Sequence, residues 1–517
     1  MAYPPSTDDE PIALSVPASA DLNLMEKDSA SFSEKLSDKK YSIQPDSNSD
    51  TDPDLVSWDG PDDPTNPMNF SQLRKISVIF TVSALTFVVP LASSMFAPGV
   101  PDLMVEFNFT STILSSFVVS IYILGFAVGP LVIAPLSEMY GRSIIYKIST
   151  VIFTGLTIGC GECHSLAAMF ILRFLCGTVG SASLALGSGS VADIIEVEHR
   201  GKYMSFYIMG PVIGPAVGPV IGGFLAAVSW RWVFRLIAIL SGIMSVLCFA
   251  TLPETYGPFI LNRKARRLRK ETGNDALHTI YEDRIASPST MFARNIIRPL
   301  KLLVLSPIVL ILSLFVAVTY GMLYLLFTTF TSVFENGYGF STEIVGLSYL
   351  GMGLGSMSSI IIMILYSDKI LVMLAERTPS KERKPEHRLP LMILLSPFLV
   401  IGLIIYGWSA KFQVHWIVPI IGTYFVGLGL LATFSPTMNY LVDAYGIYAA
   451  SASSASTMVR SLGGAFLPLA GNSMYAALGL GWGNTLLAFI VLIMLPVPVV
   501  LYYRGEELRK KFNPKLD

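Results

Sequence analysis

Long apolar runs recur along most of the chain and are separated by short polar segments. A window of about 20 residues, the length of helix that crosses a bilayer, finds twelve such runs. They form two groups of six, separated by a polar stretch from Pro253 to Lys301. We predict spans at 76–96, 112–134, 144–163, 167–191, 203–228, 233–252, 304–333, 344–366, 389–408, 415–438, 447–475 and 484–503.

These runs also set the predicted domain boundaries. Residues 1–57 are rich in Ser, Asp and Pro and poor in aromatic residues, which is typical of a disordered tail. The eleventh span is longer than a bilayer requires, so we expect it to tilt or to break at Gly463, Gly464 or Pro468. The other predicted parts are a pre-membrane segment at 58–75, an N-terminal six-helix bundle at 76–252, a central loop at 253–303, a C-terminal six-helix bundle at 304–503 and a tail at 504–517.

The composition agrees with an all-α integral membrane protein. Of the 517 residues, 52% are hydrophobic and only 14% are charged, whereas a soluble globular protein carries about a quarter charged residues. The formal net charge of -1 does not indicate a nucleic acid partner. Cys160 and Cys163 form a Cys-x-x-Cys pair, but no second such pair accompanies it. We therefore interpret them as ordinary helix thiols and expect neither a metal site nor a cofactor.

The basic residues predict the orientation. They gather in the central loop, in the loop after the eighth span and in the C-terminal tail, which all lie on one side if every span crosses. Because Lys and Arg are retained on the cytoplasmic side, we expect both termini there. Arg231 and Arg235 are exceptions on the opposite side. Five tryptophans lie at that outer side, as an interfacial belt would, and Asn108-Phe109-Thr110 there has the pattern of a glycosylation acceptor.

The loop after the second span carries a recognisable motif, Ala134-Pro135-Leu136-Ser137-Glu138-Met139-Tyr140-Gly141-Arg142-Ser143. It resembles the loop signature Gly-x-Leu-x-Asp-x-x-Gly-Arg of the major facilitator transporters, whose plan is two groups of six spans with both ends inside. The resemblance implies that Glu138, Gly141 and Arg142 couple the movement of the two halves. This copy has Ala134, Glu138 and Ser143 where the family has glycine, aspartate and a basic residue. The alternative is an ordinary short loop that is capped by charges.

Arg173, in the fourth predicted span, is a cation at membrane depth. Such a charge is costly unless it faces a cavity or a partner. The resemblance implies a part in proton coupling. Because this requires a titratable group, we expect Glu138 and Asp193 to be the carboxylates that carry the proton, with Arg173 modulating the field. We expect Arg173 to face a cavity, and the alternative is that it extends to the outer interface. Cys176 departs from the polar residue that the family has beside this arginine.

The fifth predicted span contains a run of glycines at every fourth residue. Because a step of four residues is slightly more than one helical turn, these glycines form one stripe that permits close helix contact. We expect the stripe to pack against the other half of the protein, at glycines 346, 351, 353 and 355; the alternative is a packing stripe with no role in transport. The run resembles the signature Gly-x-x-x-Gly-Pro-x-x-Gly-Gly of drug/proton antiporters. Its residues are Gly210, Pro211, Gly214, Pro215, Gly218, Pro219, Gly222 and Gly223.

Together with the segments Trp58–Asn69 and Pro253–Pro258, these motifs resemble the fungal branch of the twelve-span drug/proton antiporter family. The resemblance covers nearly everything after residue 57. It implies a monomeric exporter of small organic molecules, embedded in the plasma membrane and driven by exchange for protons. The five histidines lie in different segments, so no cluster of catalytic groups indicates an enzyme.

The predicted spans contain almost no acidic residue, which bears on the substrate. A polycation such as a polyamine would require carboxylates inside the membrane. We therefore predict export of neutral or weakly charged hydrophobic molecules, such as drugs, toxins or secondary metabolites. A proton-coupled importer, a polyamine exporter and a membrane sensor that transports nothing are the alternatives. The candidate cavity residues are Tyr122, Tyr207, Tyr320, Tyr324, Asn439 and Arg460.

Overall fold

The computed structural model describes residues 52, 54–196, 200–281, 288–377 and 383–512. Most of the predicted tail at 1–57 and the last residues of the tail at 504–517 lie outside these described residues. The chain divides into two units, Met1–Leu55 and Val56–Asp517. Everything below concerns the second unit.

The second unit is built from helices that match the predicted spans. Eleven stretches of the described chain are long and apolar enough to cross a membrane. The last stretch, Ala449–Lys511, contains two spans because Gly479 interrupts the helix with a left-handed backbone (φ 70°, ψ 169°). We number the resulting spans 1 to 12: Gln72–Ser94, Thr112–Tyr140, Arg142–Glu162, Leu166–Ile194, Arg200–Ala226, Trp230–Thr251, Pro307–Ser332, Leu350–Arg377, Pro397–Lys411, Ile417–Tyr445, 449–478 and 480–494.

Shorter helices extend or connect these spans. The segment predicted as a central loop contains two of them, Gly257–Thr272 and Pro288–Leu305. The first ends at Gly273, which adopts the left-handed conformation (φ 70°) that commonly closes a helix. The others are Pro67–Asn69, Ala97–Gly99, Val100–Glu106, Val333–Gly337, Thr342–Ser348, Pro385–Arg388, Pro390–Leu395, Gly446–Tyr448 and Pro496–Lys511.

Serine side chains cap the start of several spans. Ser71, Ser111 and Ser165 accept hydrogen bonds from backbone N–H groups in the first turns of spans 1, 2 and 4. Ser229 and Ser306 do the same for spans 6 and 7. Because the first N–H groups of a helix have no partner within it, each serine satisfies one of them where the chain enters the membrane.

Of the two expectations for span 11, a tilt or a break, the break does not occur at the predicted residues, and the interruption at Gly479 falls between the predicted spans 447–475 and 484–503. The helix continues through Gly463, Gly464 and Pro468 and is interrupted only at Gly479. A side chain at Gly463 would collide with the backbone of Ala317 in span 7. The glycine therefore serves close contact between two helices and does not break its own helix.

The glycine stripe of span 5 packs within its own half, so the predicted contact with the other half is wrong for the stripe. Side chains at positions 210, 214, 218 and 222 would all collide with span 1, between Ser83 and Met95. A different face of span 5 reaches the other half, because Gly223 lies against Gly346, just before span 8. Gly353 also lies against span 5, at Ala216, whereas Gly351 and Gly355 contact span 10.

The loops give the two ends of the molecule opposite character. The end with Arg142, Arg388 and the helix Gly257–Thr272 is called the basic end below, and the end with Glu106 and Glu162 is called the acidic end. The two exceptional arginines of the acidic end, at 231 and 235, form ion pairs with these two glutamates. Their charges are therefore compensated locally.

Candidate functional site

A cavity of about 1120 Å³ lies between the two halves. Spans 1, 2, 4, 5, 7, 8, 10 and 11 line it, span 3 contributes only its first residue, Arg142, and none of the described lining residues comes from spans 6, 9 and 12. It extends from Phe327 and Tyr349, near the acidic end, to Arg142 and Arg388 at the basic end. Most of its lining is apolar, with scattered serines and threonines between the apolar side chains. Its size and lining suit a drug-sized organic molecule.

Four of the six predicted cavity residues line this space: Tyr207, Tyr320, Asn439 and Arg460. Tyr122 and Tyr324 do not, and this part of the prediction is wrong. Both are buried among helices of the bundle, where their hydroxyls have partners. The Tyr122 hydroxyl donates to the carbonyl of Val89 at 2.9 Å, and the Tyr324 hydroxyl lies 2.8 Å from that of Ser93.

Arg460 projects into the cavity from span 11. Its guanidinium carbon lies 4.7 Å from the centre of the Tyr320 ring and 4.6 Å from that of Phe434. Aromatic faces attract a cation, and more strongly where water is excluded. The two rings therefore hold the guanidinium at the cavity wall.

Arg173 does not face the cavity as predicted, nor does it extend to the outer interface. Its side chain is 2% exposed and is enclosed by spans 1, 2, 4 and 6. The guanidinium donates to the carbonyls of Val118 at 2.7 Å and Ser93 at 3.2 Å. It also lies over the rings of Phe96 and Tyr122. A buried cation with these partners ties helices together.

The loop between spans 2 and 3 turns at Gly141, whose φ of 90° is unfavourable for other residues. The carboxylate that the structure places against Arg142 is Asp193, at the end of span 4, with 2.7 Å between Nε and Oδ2. Glu138 is exposed and lines the cavity one turn before the loop. Burial raises the pKa of the neighbouring Tyr256 to about 12, and the negative charge of Glu138 contributes to that rise.

Glu254 organises this loop, and the sequence interpretation did not assign it a role. Its carboxylate accepts hydrogen bonds from the backbone N–H groups of Arg142 and Ser143 at 2.9 and 3.1 Å, and from those of Thr255 and Tyr256. A carboxylate at the first turn of span 3 also interacts favourably with the helix dipole. The conspicuous Pro-Glu-Thr sequence after span 6 was the available signal.

The second half has a corresponding ion pair that was also missed. Arg388 lies 3.0 Å from Asp443, at the end of span 10, and 2.7 Å from Asp368, at the basic end of span 8. The separation along the chain from arginine to aspartate is 55 residues here and 51 for Arg142 and Asp193. This similar spacing in the two halves could have identified the pair.

At the acidic end the two halves are in contact. The hydroxyl pair Ser93 and Tyr324 joins spans 1 and 7. Asn472 in span 11 donates to Ser116 in span 2 at 3.1 Å. With the contact of Gly223 and Gly346, these interactions close the cavity at this end, whereas its lining continues to the basic end.

Two further predicted features lie at the acidic end. Asn108 is exposed in a turn with φ 51°, between Val100–Glu106 and span 2. Trp232, Trp416 and Trp482 are 42–58% exposed, as residues of an interfacial belt would be. Trp230 is an exception, because it is 2% exposed and donates to Glu106.

The comparisons with known proteins agree with this architecture. The model of the Major Facilitator Superfamily matches residues 82–468. The MFS-type transporter atr4 of Stereocaulon alpinum is 49% identical over 500 residues, which cover 96% of this chain and 89% of that protein. The efflux pump radE of Floropilus chiversii is 46% identical over 468 residues, covering 90% of this chain and 87% of the pump.

Among solved structures, the xylose transporter XylE of E. coli in a partially occluded inward-open conformation is similar in fold. The TM-score is 0.63 at 16% identity, and the match covers 84% of this chain and 98% of the transporter. A D-xylose-proton symporter matches with a TM-score of 0.63 at 18% identity, over 86% of this chain and 99% of that one. At these identities the likeness concerns the fold alone.

Proposed function

Since the chain belongs to the major facilitator superfamily and is a multi-pass membrane transporter, not an enzyme, we propose that it exports hydrophobic or amphipathic small organic molecules in exchange for protons. The observation that carries this proposal is the large, mainly apolar cavity between the two halves, closed at one end and continuing to the other. Two bundles that rock about such a central site provide alternating access.

Relatives of this chain support export. One of them is named an efflux pump and others are named MFS-type transporters, at 45–49% identity. The cargo would be drugs, toxins or secondary metabolites of the producing cell. A polyamine exporter is disfavoured, because the guanidinium of Arg460 would repel a polycation inside the cavity.

The basic end is proposed to face the cytoplasm, because Lys and Arg are retained on that side. The structure would then be an inward-facing state that receives cargo from the cytoplasm. Both termini would be cytoplasmic, Asn108 would be a glycosylation site on the outer face, and the protein would act as a monomer in the plasma membrane.

For proton coupling we propose the carboxylates at the basic end. Asp193 is about four-fifths buried and paired with Arg142, so a proton on Asp193 would release that arginine and loosen the contact between spans 3 and 4. Glu138, which lines the cavity, is the second candidate. Arg173 would act only through the positions of spans 1, 2 and 4.

Reconstitution into vesicles with an imposed pH gradient tests direction and coupling together. We expect lipophilic compounds to move in the direction opposite to the flow of protons. Asp193→Asn should uncouple their movement from the pH gradient while binding persists. Movement of the compounds in the same direction as the protons would make the protein an importer. Transport that is unaffected by the pH gradient would refute proton exchange, and the absence of transport for every compound would favour a sensor.

A further inference from the structure

Arg460 lies deep in the cavity. It follows the first residue of span 11, Ala449, by eleven positions, which corresponds to about 17 Å along the helix. A permanent positive charge at this depth is costly and is retained where it has a function. The aromatic rings of Tyr320 and Phe434 lower this cost but do not neutralise the charge.

The guanidinium has no anionic partner in the described part of the chain. No carboxylate of the described residues lies within 4.0 Å of Arg460, and its buried Nε atom has no hydrogen-bond acceptor among them. Glu138 lies in the last turn of span 2, at the basic end. Arg460 therefore presents a charge and a donor to whatever enters the cavity.

The other arginines show that this situation is unusual within the same molecule. At the basic end of the cavity, Arg142 is paired with Asp193 and Arg388 with Asp368. Arg173 is also inside the membrane, but it donates to backbone carbonyls and does not present its charge to the cavity. Arg460 alone among these four has neither kind of partner.

We propose that Arg460 binds a deprotonated oxygen acid of the cargo, so that the exported molecules are amphipathic organic anions: an apolar body with one carboxylate or acidic enol. This inference rests on the proposed export function and specifies its substrate class. A guanidinium binds such a group through two parallel N–H donors, including the Nε–H that has no acceptor here. The rings of Tyr320 and Phe434 and the apolar lining would hold the body of the cargo.

An anionic cargo also has a consequence for the driving force. Its outward movement carries negative charge out of the cell, so a potential that is negative inside accelerates export. The scarcity of acidic residues in the cavity then has a simple reason, because a carboxylate beside Arg460 would occupy the guanidinium and repel the cargo.

Matched compounds on one apolar body provide the test. We would use naphthalene, biphenyl and dodecyl bodies, each carrying a carboxylate, its methyl ester or an aminomethyl group, and measure their transport by the full-length protein in proteoliposomes. The wild type is expected to transport the carboxylates in preference to the esters and amines, and faster when a potassium gradient with valinomycin makes the compartment of origin negative. Arg460→Met is expected to lower carboxylate transport about thirtyfold or more, mainly through KM.

Two variants keep the result interpretable. Arg460→Lys retains the charge without the planar fork and should recover part of the carboxylate transport. Arg235→Met removes an arginine that lies outside the cavity and is paired with Glu162, and it should transport as the wild type does. Equal transport of carboxylates and esters by the wild type, or full carboxylate transport by Arg460→Met, would overturn the inference and leave export standing. No transport of any compound by the wild type would overturn the export function, and the inference with it.

Discussion

Arg142 and Asp193 join the start of span 3 to the end of span 4, with 2.7 Å between the guanidinium Nε and the carboxylate Oδ2. Arg388 and Asp443 form the same connection before span 9 and at the end of span 10, at 3.0 Å. The two halves thus repeat one device at the basic end, where the cavity lining reaches the loops. A pair that can form and part at this end is suited to control access to the cavity.

The first prediction concerns this pair. Both side chains are more than four-fifths buried, so Asp193→Asn would leave the charge of Arg142 without compensation. We expect the variant to be less stable than the wild type by about 1–3 kcal/mol, measured by thermal unfolding of the purified protein. Glu162→Gln is the matched control, because the side chains of Glu162 and its partner Arg235 are each about half exposed and such pairs contribute little. Equal stability of the two variants would show that the ion pair of Arg142 and Asp193 does not stabilise the protein.

The number and placement of the spans could be predicted from the sequence because burial in a bilayer requires about 20 apolar residues in a row. The direction in which a side chain points could not be predicted in the same way. Each residue turns a helix by about 100°, so a small difference in packing decides which face meets the cavity. For the same reason Arg173 was predicted to face the cavity, whereas in the structure it lies between helices. Depth along the span adds a second uncertainty: Tyr320 and Tyr324 are one turn apart on the same face of span 7, yet only Tyr320 lines the cavity, because Tyr324 lies nearer the closed acidic end and is buried against Ser93.

The glycine stripe illustrates a second limit. Its spacing predicted close contact with another helix, and the structure contains that contact, but with span 1 of the same half. Small residues specify how near a partner can come and say nothing about which helix it is. Glu254 was overlooked for a related reason. Of its four backbone donors, two are its neighbours in the chain and two are more than one hundred residues away.

The second prediction concerns Glu254. Glu254→Ala removes the acceptor for four backbone N–H groups at the basic end, including those that begin span 3. Because four partly buried donors would lose their acceptor together, we expect a loss of stability of about 2 kcal/mol. Glu254→Gln retains one acceptor oxygen and should lose less. Thermal unfolding of both variants measures the difference, and an alanine variant as stable as the glutamine variant would contradict the role of the carboxylate.

The third prediction separates the two faces of span 5. Leucine at Gly218 would collide with Leu91 and Ser94 of span 1, so we expect Gly218→Leu to impair folding and reduce the amount of protein in the membrane. Alanine at Gly223 would press on Thr342 and Gly346 of the other half. We expect Gly223→Ala to fold but to transport more slowly, because it opposes closure at the acidic end.

Gly155→Ala is the control for both glycine variants. It lies in span 3, and an added Cβ atom there meets nothing within 4 Å. Since alanine is favoured over glycine inside a helix, its expression and transport should equal those of the wild type. Membrane expression, measured by fluorescence of a tagged protein, and uptake into vesicles distinguish the two expected defects. Normal expression of Gly218→Leu would refute the packing role of the stripe within its own half.

The fourth prediction concerns the contact that closes the acidic end. Tyr324→Phe removes the hydroxyl that bridges span 7 to Ser93 in span 1, while Ser93 keeps its hydrogen bond to the carbonyl of Pro90. A neutral hydrogen bond contributes about 0.5–1.5 kcal/mol, so the state that is open at this end should become about two- to tenfold more populated. Tyr424→Phe is the matched control, because that hydroxyl bonds Ser358 within the second half.

Spin labels on the two halves can measure this shift. Val105 and Asn336 are exposed at the acidic end, one in each half, and the four native cysteines are buried, so cysteines introduced at these two positions would be labelled selectively. Pulsed dipolar spectroscopy should find a larger share of long distances between the labels in Tyr324→Phe than in the wild type. Tyr424→Phe should show no such increase. If the two tyrosine variants gave the same distance distribution, the hydrogen bond between spans 1 and 7 would not be what holds this end closed.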